Sequence, residues 1–379
     1  MLRWAKRTSA VKGHFASSRL YATMLEDYSG RSNGRALYAC AAATRGRRPY
    51  MEDTSAVLHT PFCSLFGLYD GHGGTAAASF AKKKCLQNVQ QQLETLYKSI
   101  HDEHKAQQQN PSLHLSSGEV IGKEDAAEQK SSLWKDAFTA AFLKTDDEFL
   151  SSSGGSTSGT TALVAAVADD RIVIANAGDS RAVLVQMDDL DGTKDGTRGP
   201  VGTRVRALSD DHKADRPDEV QRIKAAGGFV TKAFDIGRVA GILAVSRALG
   251  DKELKSKGVI ATPEVHFLHF TSSSADDAKT TTKNEREMTL SFLVLATDGL
   301  WDVLSNKDVG QALSTLFIEQ QHQQQKSFQK EDELDPSIQS YKFVRLAAEM
   351  LIKEAYRRGS SDNITAIVVK LPSSFSFPT

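Results

Sequence analysis

Five places in the chain carry an acid where an apolar run breaks off: Glu52 with Asp53, Asp70, Asp179, Asp298 and Asp362. The clearest is Phe62 to Tyr69, which ends in Asp70-Gly71-His72-Gly73-Gly74. It reads as a strand delivering a carboxylate to a rim, with glycines that let backbone approach where a side chain would block it. Leu290 to Thr297 followed by Asp298-Gly299 repeats the pattern. Each step alone could be an Asp-Gly turn closing a hairpin, but strand ends in one sheet layer can converge on one edge. Converged carboxylates repel one another and take up protons unless cations compensate them. An all-oxygen donor set favours Mg²⁺ or Mn²⁺, and the cysteines and histidines lack the spacing of a zinc site.

Strands and helices must position these acids. Leu37 to Thr44, a short strand ending at Leu58, and Phe62 to Tyr69 form a first group. Ser158 to Val167, Ile172 to Asn176 and Ala182 to Val185 read as a meander of buried antiparallel strands. Leu290 to Thr297 and Ile364 to Leu371 complete the set. Apolar stripes predict helices over 75–100, with Phe80, Leu86, Val89, Leu93 and Leu96, and over 133–150, with Trp134, Phe138, Phe142 and Phe149. Asp215 to Glu219 starts a short helix that Gly227-Gly228 stops. Gln311 to Phe328 begins as a helix and dissolves into a glutamine-rich tract, and Phe343 to Tyr356 is another helix. Residues 101–130, 187–203, 271–287 and 319–340 read as polar insertions into a single domain spanning 24–372, with 373–379 as a tail.

Lysine plus arginine equals aspartate plus glutamate at 47 each, so overall charge gives no argument for a nucleic-acid partner. The balance is uneven, because no acid precedes Glu26 while Arg3, Lys6, Arg7, Lys12 and Arg19 are basic. Residues 1–23 therefore read as a mitochondrial presequence, which predicts a matrix location, or as a disordered basic tail of a cytoplasmic protein. Cys40, Cys63 and Cys85 make an odd count with no C-x-x-C spacing and read as structural thiols. No window has the apolar length of a membrane span.

Ten short motifs then resemble one family. Arg48-x-x-Met51-Glu52-Asp53, DGHGG at 70–74, SGTTA at 158–162, GDSRA at 178–182 and DDHK at 210–213 look like protein phosphatase 2C signatures. So do E-x-x-R-I-x-x-A-G-G at 219–228, AVSRALGD at 244–251, PEV at 263–265, TDGLWD at 297–302 and SDNIT at 361–365. They occur in the family's order from about residue 37 to 371.

The resemblance implies an α+β fold, a four-layer α/β/β/α sandwich of two mainly antiparallel sheets flanked by helices, with a small flap subdomain. It implies metal-dependent hydrolysis of phosphoserine and phosphothreonine in proteins by a metal-activated water at a dinuclear Mg²⁺ or Mn²⁺ centre. By motif position, Asp70 bridges the two metals, Asp298 and Asp362 complete one ion, and Glu52 with the Gly71 carbonyl serves the other. Asp53 orients water, Asn363 steadies the loop of Asp362, and Asp179, paired with Asp298, matches a weaker third metal. His72 matches a general acid, with a structural role as the alternative. Arg48 matches a phosphate grip, with a surface ion pair as the alternative. Ser246, Arg247 and Asp251 are assigned to packing.

Charge supports metal dependence: Glu52, Asp70, Asp298 and Asp362 sum to −4, which two divalent ions cancel. A cysteine phosphatase needs a Cys-x5-Arg loop, and Cys40 with Arg45 is one residue short. A kinase needs a glycine-rich nucleotide loop and a catalytic lysine strand, which are missing. The remaining rival is a phosphatase-like scaffold that has lost catalysis, which should lack metal ligands. Phosphoproteins are the expected partners of a monomeric enzyme.

Overall fold

Eleven strands stack as two antiparallel sheets lying face to face in the computed structural model. It describes residues 23–32, 35–109, 123–152, 157–189, 202–272, 288–327, 335–372 and 375–376. The first sheet runs in the order β1 (Thr23–Ser32), β2 (Arg35–Thr44), β17 (Ile364–Lys370), β16 (Met288–Ala296), β9 (Arg181–Asp189), β10 (Gly202–Ala207). The second runs β14 (Glu264–His269), β8 (Arg171–Ala177), β7 (Ala162–Val167), β4 (Ser64–Tyr69), β3 (Thr54–His59).

Every residue of β4, β7 and β8 is buried, because both faces of their sheet are covered. The period of two sorts them. Phe66, Leu68, Leu163 and Ile174 pack between the sheets against Leu184, Leu295 and Ile367 of the first sheet. Leu65, Val164 and Val173 point outward to α1 (Ala76–Gln109) and α2 (Lys123–Ser151), whose Val89, Leu93, Trp134 and Phe138 cover them. On the other outer face Val183, Val294 and Val368 meet α6 (Asn306–Ser327) and α7 (Pro336–Arg357) through Val309, Leu313, Val344 and Leu351. The result is the four-layer sandwich. The start of α7 is fixed locally, with Pro336 at its first position and the Asp335 carboxylate accepting from Ser337 N at 2.8 Å.

Shorter pieces fit the layers together. β5 (Gly71–His72), β6 (Gly159–Thr160) and β13 (Leu249–Gly250) form a three-stranded ribbon, followed by α4 (Lys252–Lys255). α5 (Asp298–Trp301) follows β16, and β15 (Thr271–Ser272) pairs with β18 (Phe375–Ser376). A flap carries α3 (Pro217–Ala225) and the hairpin β11 (Val230–Ala233) to β12 (Ile236–Val239), with a small core of its own around Ile223, Val239 and Val245. Phe234 and Asp235 turn this hairpin with φ of 50° and 64°, the left-handed pair that a two-residue hairpin loop requires.

Several sequence expectations need correction. The sequence pattern assigns no element between residues 24 and 36, yet β1 forms there and pairs along ten residues with β2. β9 does not continue a meander with β7 and β8; it crosses to the other sheet beside β16. The insertion at 101–130 is partly helix, because α1 runs on to Gln109 and α2 begins at Lys123. The insertion at 319–340 is likewise helical up to Ser327 and from Pro336, while β9 reaches Asp189 and β10 starts at Gly202. A polar helix end needs no apolar stripe once its first turns are packed. Arg238 to Asp251 mixes β-branched residues with an ending that reads as helical, yet the turn of helix starts only at Lys252. The presequence-like segment, apart from Thr23, and most of the tail lie outside the described residues. Among the described residues no helix is long and apolar enough to cross a membrane. All three cysteines are buried and free, and burial pushes the Cys63 and Cys85 thiols up to about 12, which makes them inert.

Glu219 binds the flap to the sandwich. Its side chain is 1 % exposed and accepts from Arg222 Nη1 at 2.5 Å, Arg247 Nη2 at 2.8 Å and the Ser246 hydroxyl. Burial alone would raise its pKa, but the two guanidinium groups hold it below the usual range. Glu219→Gln should therefore destabilise the protein by about 2–3 kcal/mol, because arginines are left without their shared anion. Urea unfolding of the two proteins measures this; an unchanged midpoint would show that Glu264 and water compensate.

Candidate metal centre

The acids reach one cleft because threonines and glycines fix the strand ends that carry them. After β4, Asp70 N donates to Thr161 Oγ1 at 3.1 Å, and Asp70 O accepts from Thr161 N at 2.9 Å. The SGTTA segment thus clamps the backbone of Asp70. Thr161 also meets Ser180 Oγ at 2.9 Å and packs so closely on Gly178, at φ 123°, that a Cβ there would lie 2.5 Å from its own. That contact sets Asp179 beside Asp70. At the start of α5, a Cβ on Gly299 would stand 1.9 Å from Asn363 O, so only glycine lets the loops of Asp298 and Asp362 close on each other. Asn363 finishes the assembly, accepting from Glu52 N at 2.7 Å and donating to Arg45 O and Tyr50 O at 2.8 and 2.9 Å.

The cleft has a volume of about 860 Å³ and is lined by Arg48, Glu52, Asp70, Asp179, Asp298 and Asp362 among others. One carboxylate oxygen each of Asp70, Asp179 and Asp298 lies within 4.8 Å of the other two. Burial, and then the charges of Asp53, Asp298 and Asp179, drive the Asp70 carboxyl well above the usual carboxylate range. Asp298 is raised for the same reasons, burial first and Asp179 next. Asp53 sits beneath, with Oδ2 accepting from Thr365 Oγ1 at 2.7 Å and Thr297 Oγ1 at 3.1 Å. Its Oδ1 is buried with no partner, and burial pushes its pKa up to about 7.

The structure brings every sequence-nominated residue to this cleft or its immediate support. Arg48, half-exposed, pairs with Asp362 Oδ2 at 2.6 Å, and Glu52 Oε1 accepts from Gly74 N at 2.7 Å. His72 Nε2 lies 2.8 Å from Asp251 Oδ2. This corrects the assignment of Asp251 to packing, since its carboxylate holds the imidazole; its φ of 50° is the strained backbone that puts it there. Ser246 and Arg247 do serve packing, through Glu219. Two lining residues were overlooked. Lys213 Nζ lies 2.6 Å from Asp179 Oδ2, and although burial works against its charge, Asp179 keeps its pKa raised. Asp302 stands one helical turn after Asp298, and its pKa is raised by burial. The four-residue spacing inside TDGLWD was the available signal for Asp302, and the end of DDHK for Lys213.

Carboxylates that burial and mutual repulsion push towards protonation, with a buried orphan oxygen beneath them, are the setting a hard divalent cation relieves. The donor set therefore fits Mg²⁺ or Mn²⁺. A two-sheet sandwich with such a cleft defines the class of protein: one built to hold divalent cations at the rim of its sheets.

Comparison with known proteins makes the class specific. The family model for Protein phosphatase 2C matches residues 43–364, and the chain belongs to that family, the metal-dependent serine/threonine protein phosphatases. Probable protein phosphatase 2C 69 of Arabidopsis thaliana is 35 % identical over 89 % of this chain and 71 % of its own length. Probable protein phosphatase 2C 11 of the same plant is 32 % identical over 88 % of this chain, which spans 66 % of that protein. Among solved structures, serine-threonine phosphatase 2C from Toxoplasma gondii shares the fold with a TM-score of 0.61 at 20 % identity, over 94 % of this chain and 99 % of that one.

Proposed function

We propose that the chain hydrolyses phosphoserine and phosphothreonine in proteins at a dinuclear Mg²⁺ or Mn²⁺ centre in this cleft. The close approach of the Asp70, Asp179 and Asp298 carboxylates carries the reading. Asp70, Asp298, Asp362, Glu52 and the Gly71 carbonyl would hold two ions, with Asp179 and Asp302 directed at a weaker third. When bound, the ions cancel the acid charge that would repel a phosphate dianion and acidify the attacking water.

The remaining steps belong to the chain. Asp53, held at Oδ2 by two threonines, has Oδ1 left to accept from the attacking water and orient it. Arg48, at the open side of the cleft, would grip phosphate oxygens through its planar fork. As the water oxygen bonds to phosphorus and the ester bond breaks, His72 would give its proton to the departing serine or threonine oxygen. Asp251 would hold the ring for that transfer. The nucleophile is water, so no phosphorylated side chain forms.

Hydrolysis of a phosphothreonine peptide by metal-stripped protein, followed as Mn²⁺ or Mg²⁺ is returned, tests this reading. Activity should appear only with metal. Protein that stays inactive at millimolar metal while binding the phosphopeptide would instead be a scaffold.

A further inference from the structure

Three buried polar atoms that lack hydrogen-bond partners gather around Glu264, outside the residues that line the acidic cleft: Asn176 Oδ1, His212 Nε2 and His266 Nε2. Asn176 is the cross-strand neighbour of Glu264 in the β8–β14 pair, and His266 follows Glu264 by two residues on the same face of β14. His212 is fully buried, and its Nε2 faces Glu264 Oε2 at 3.2 Å without making a hydrogen bond. His266 Nε2 faces the same oxygen at 3.9 Å. Across from them stands Asp210, on the loop after β10, whose backbone carbonyl accepts from Asn176 Nδ2 at 3.0 Å. One carboxylate oxygen each of Asp210 and Glu264 and one ring nitrogen of His266 all lie within 4.8 Å of one another. Asp210 and His266 also line a cleft of about 130 Å³, room enough for a small ion and water.

We propose that Asp210, Glu264 and His266 form a second divalent-cation site, suited to zinc rather than magnesium. The imidazole decides the class of ion: nitrogen with carboxylate oxygen suits zinc, whereas magnesium prefers oxygen and water. Ligands about 2.0–2.1 Å from a tetrahedral ion stand roughly 3.3 Å apart. Glu264 Oε2 and His266 Nε2 stand 3.9 Å apart and would draw slightly together on the ion, while Asp210, which is exposed, can rotate toward them and leave the fourth position to water. Two neighbouring arginines hold Glu264 and would share it with the ion. Arg247 Nη2 takes Glu264 Oε1 at 3.0 Å, and Arg216 binds the same oxygen, reaching Oε2 only at 3.3 Å. Their charges are shared with Glu219 and Asp218.

The site would tie β14 to the segment 210–213, which presents Lys213 to Asp179 and His212 to Gly178 N. Zinc should therefore stiffen the wall of the acidic cleft from outside. The test is zinc uptake by metal-stripped full-length protein in millimolar Mg²⁺, measured by calorimetry and by metal content after dialysis. Wild type should take up one zinc and unfold a few degrees higher. His266→Ala should lose that zinc and the thermal shift, and Asp210→Asn should bind it at least about tenfold more weakly. Both variants should keep Mn²⁺-dependent hydrolysis, a separate readout from the reading of the acidic cleft. Equal zinc uptake by wild type and His266→Ala, or uptake lost only in Asp298→Asn, would overturn the proposal. So would wild type that takes up none.

Discussion

Asp298→Asn lowers hydrolysis of a phosphothreonine peptide by on the order of 10³-fold, the scale of losing one preorganised electrostatic element of an active site, and at the same time makes the metal-stripped protein more stable. The two effects have one origin. Asp298 is half-buried beside Asp70 and Asp179, and its charge is tolerable only when a cation shares it. An asparagine of the same shape removes the repulsion and the need for the cation together. Relief of about 1 kcal/mol would raise the melting temperature of a chain this long by about 1–2 °C. Melting curves without metal, alongside turnover with saturating Mn²⁺, measure both. A variant that loses activity and stability alike would mean that Asp298 supports the fold rather than an ion.

His72→Asn should cut turnover of a phosphothreonine peptide by about 10²–10⁴-fold, the range for a positioned general acid. The same change should leave p-nitrophenyl phosphate far less affected, because nitrophenolate departs without needing a proton. Asp251→Asn should show the same contrast between substrates at about 10–100-fold, the usual cost of losing a group that orients a catalytic one. This contrast separates proton donation from mere support of the loop that carries Asp70. If both substrates slow equally, His72 and Asp251 hold the cleft together and the leaving oxygen takes its proton from solvent.

How far the sequence reveals this site depends on what each residue touches. Asp70 and Asp298 stand out because a fully apolar strand ends in acid and glycine, a step with few structural uses. Their convergence was readable only through the family motifs. The two acids lie 228 residues apart, and nothing in either segment names the other. Asp251 and Lys213 were quoted inside motifs yet given no role in the site, since each acts through a side chain brought from elsewhere, His72 and Asp179, whereas Asp302 was readable from its four-residue spacing after Asp298. The same reason hides β1. Its polar stretch becomes a strand by pairing with β2 at the sheet edge, where one face can stay wet. β9 was mistaken for a neighbour of β8 because strands joined by a short loop usually pair, whereas here Gly178-Asp179 carries the chain from one sheet to the other. Helices α1 and α2 were underestimated at their facing polar ends, where periodicity fades although the helix continues.

In the first sheet, β17 lies between β2 and β16, so one of its central strands comes from the C-terminal end of the chain. A polypeptide emerging from the ribosome has β2 and β16 long before it has their shared partner. Until about residue 370 is made, two inner strand edges stand open, and Asp362 and Asn363 are not in place to finish the acidic cleft. Synthesis therefore yields neither a complete sandwich nor a competent centre in stages. Both arrive together with β17, and until then the open inner edges of β2 and β16 are exposed to pairing with the wrong strand.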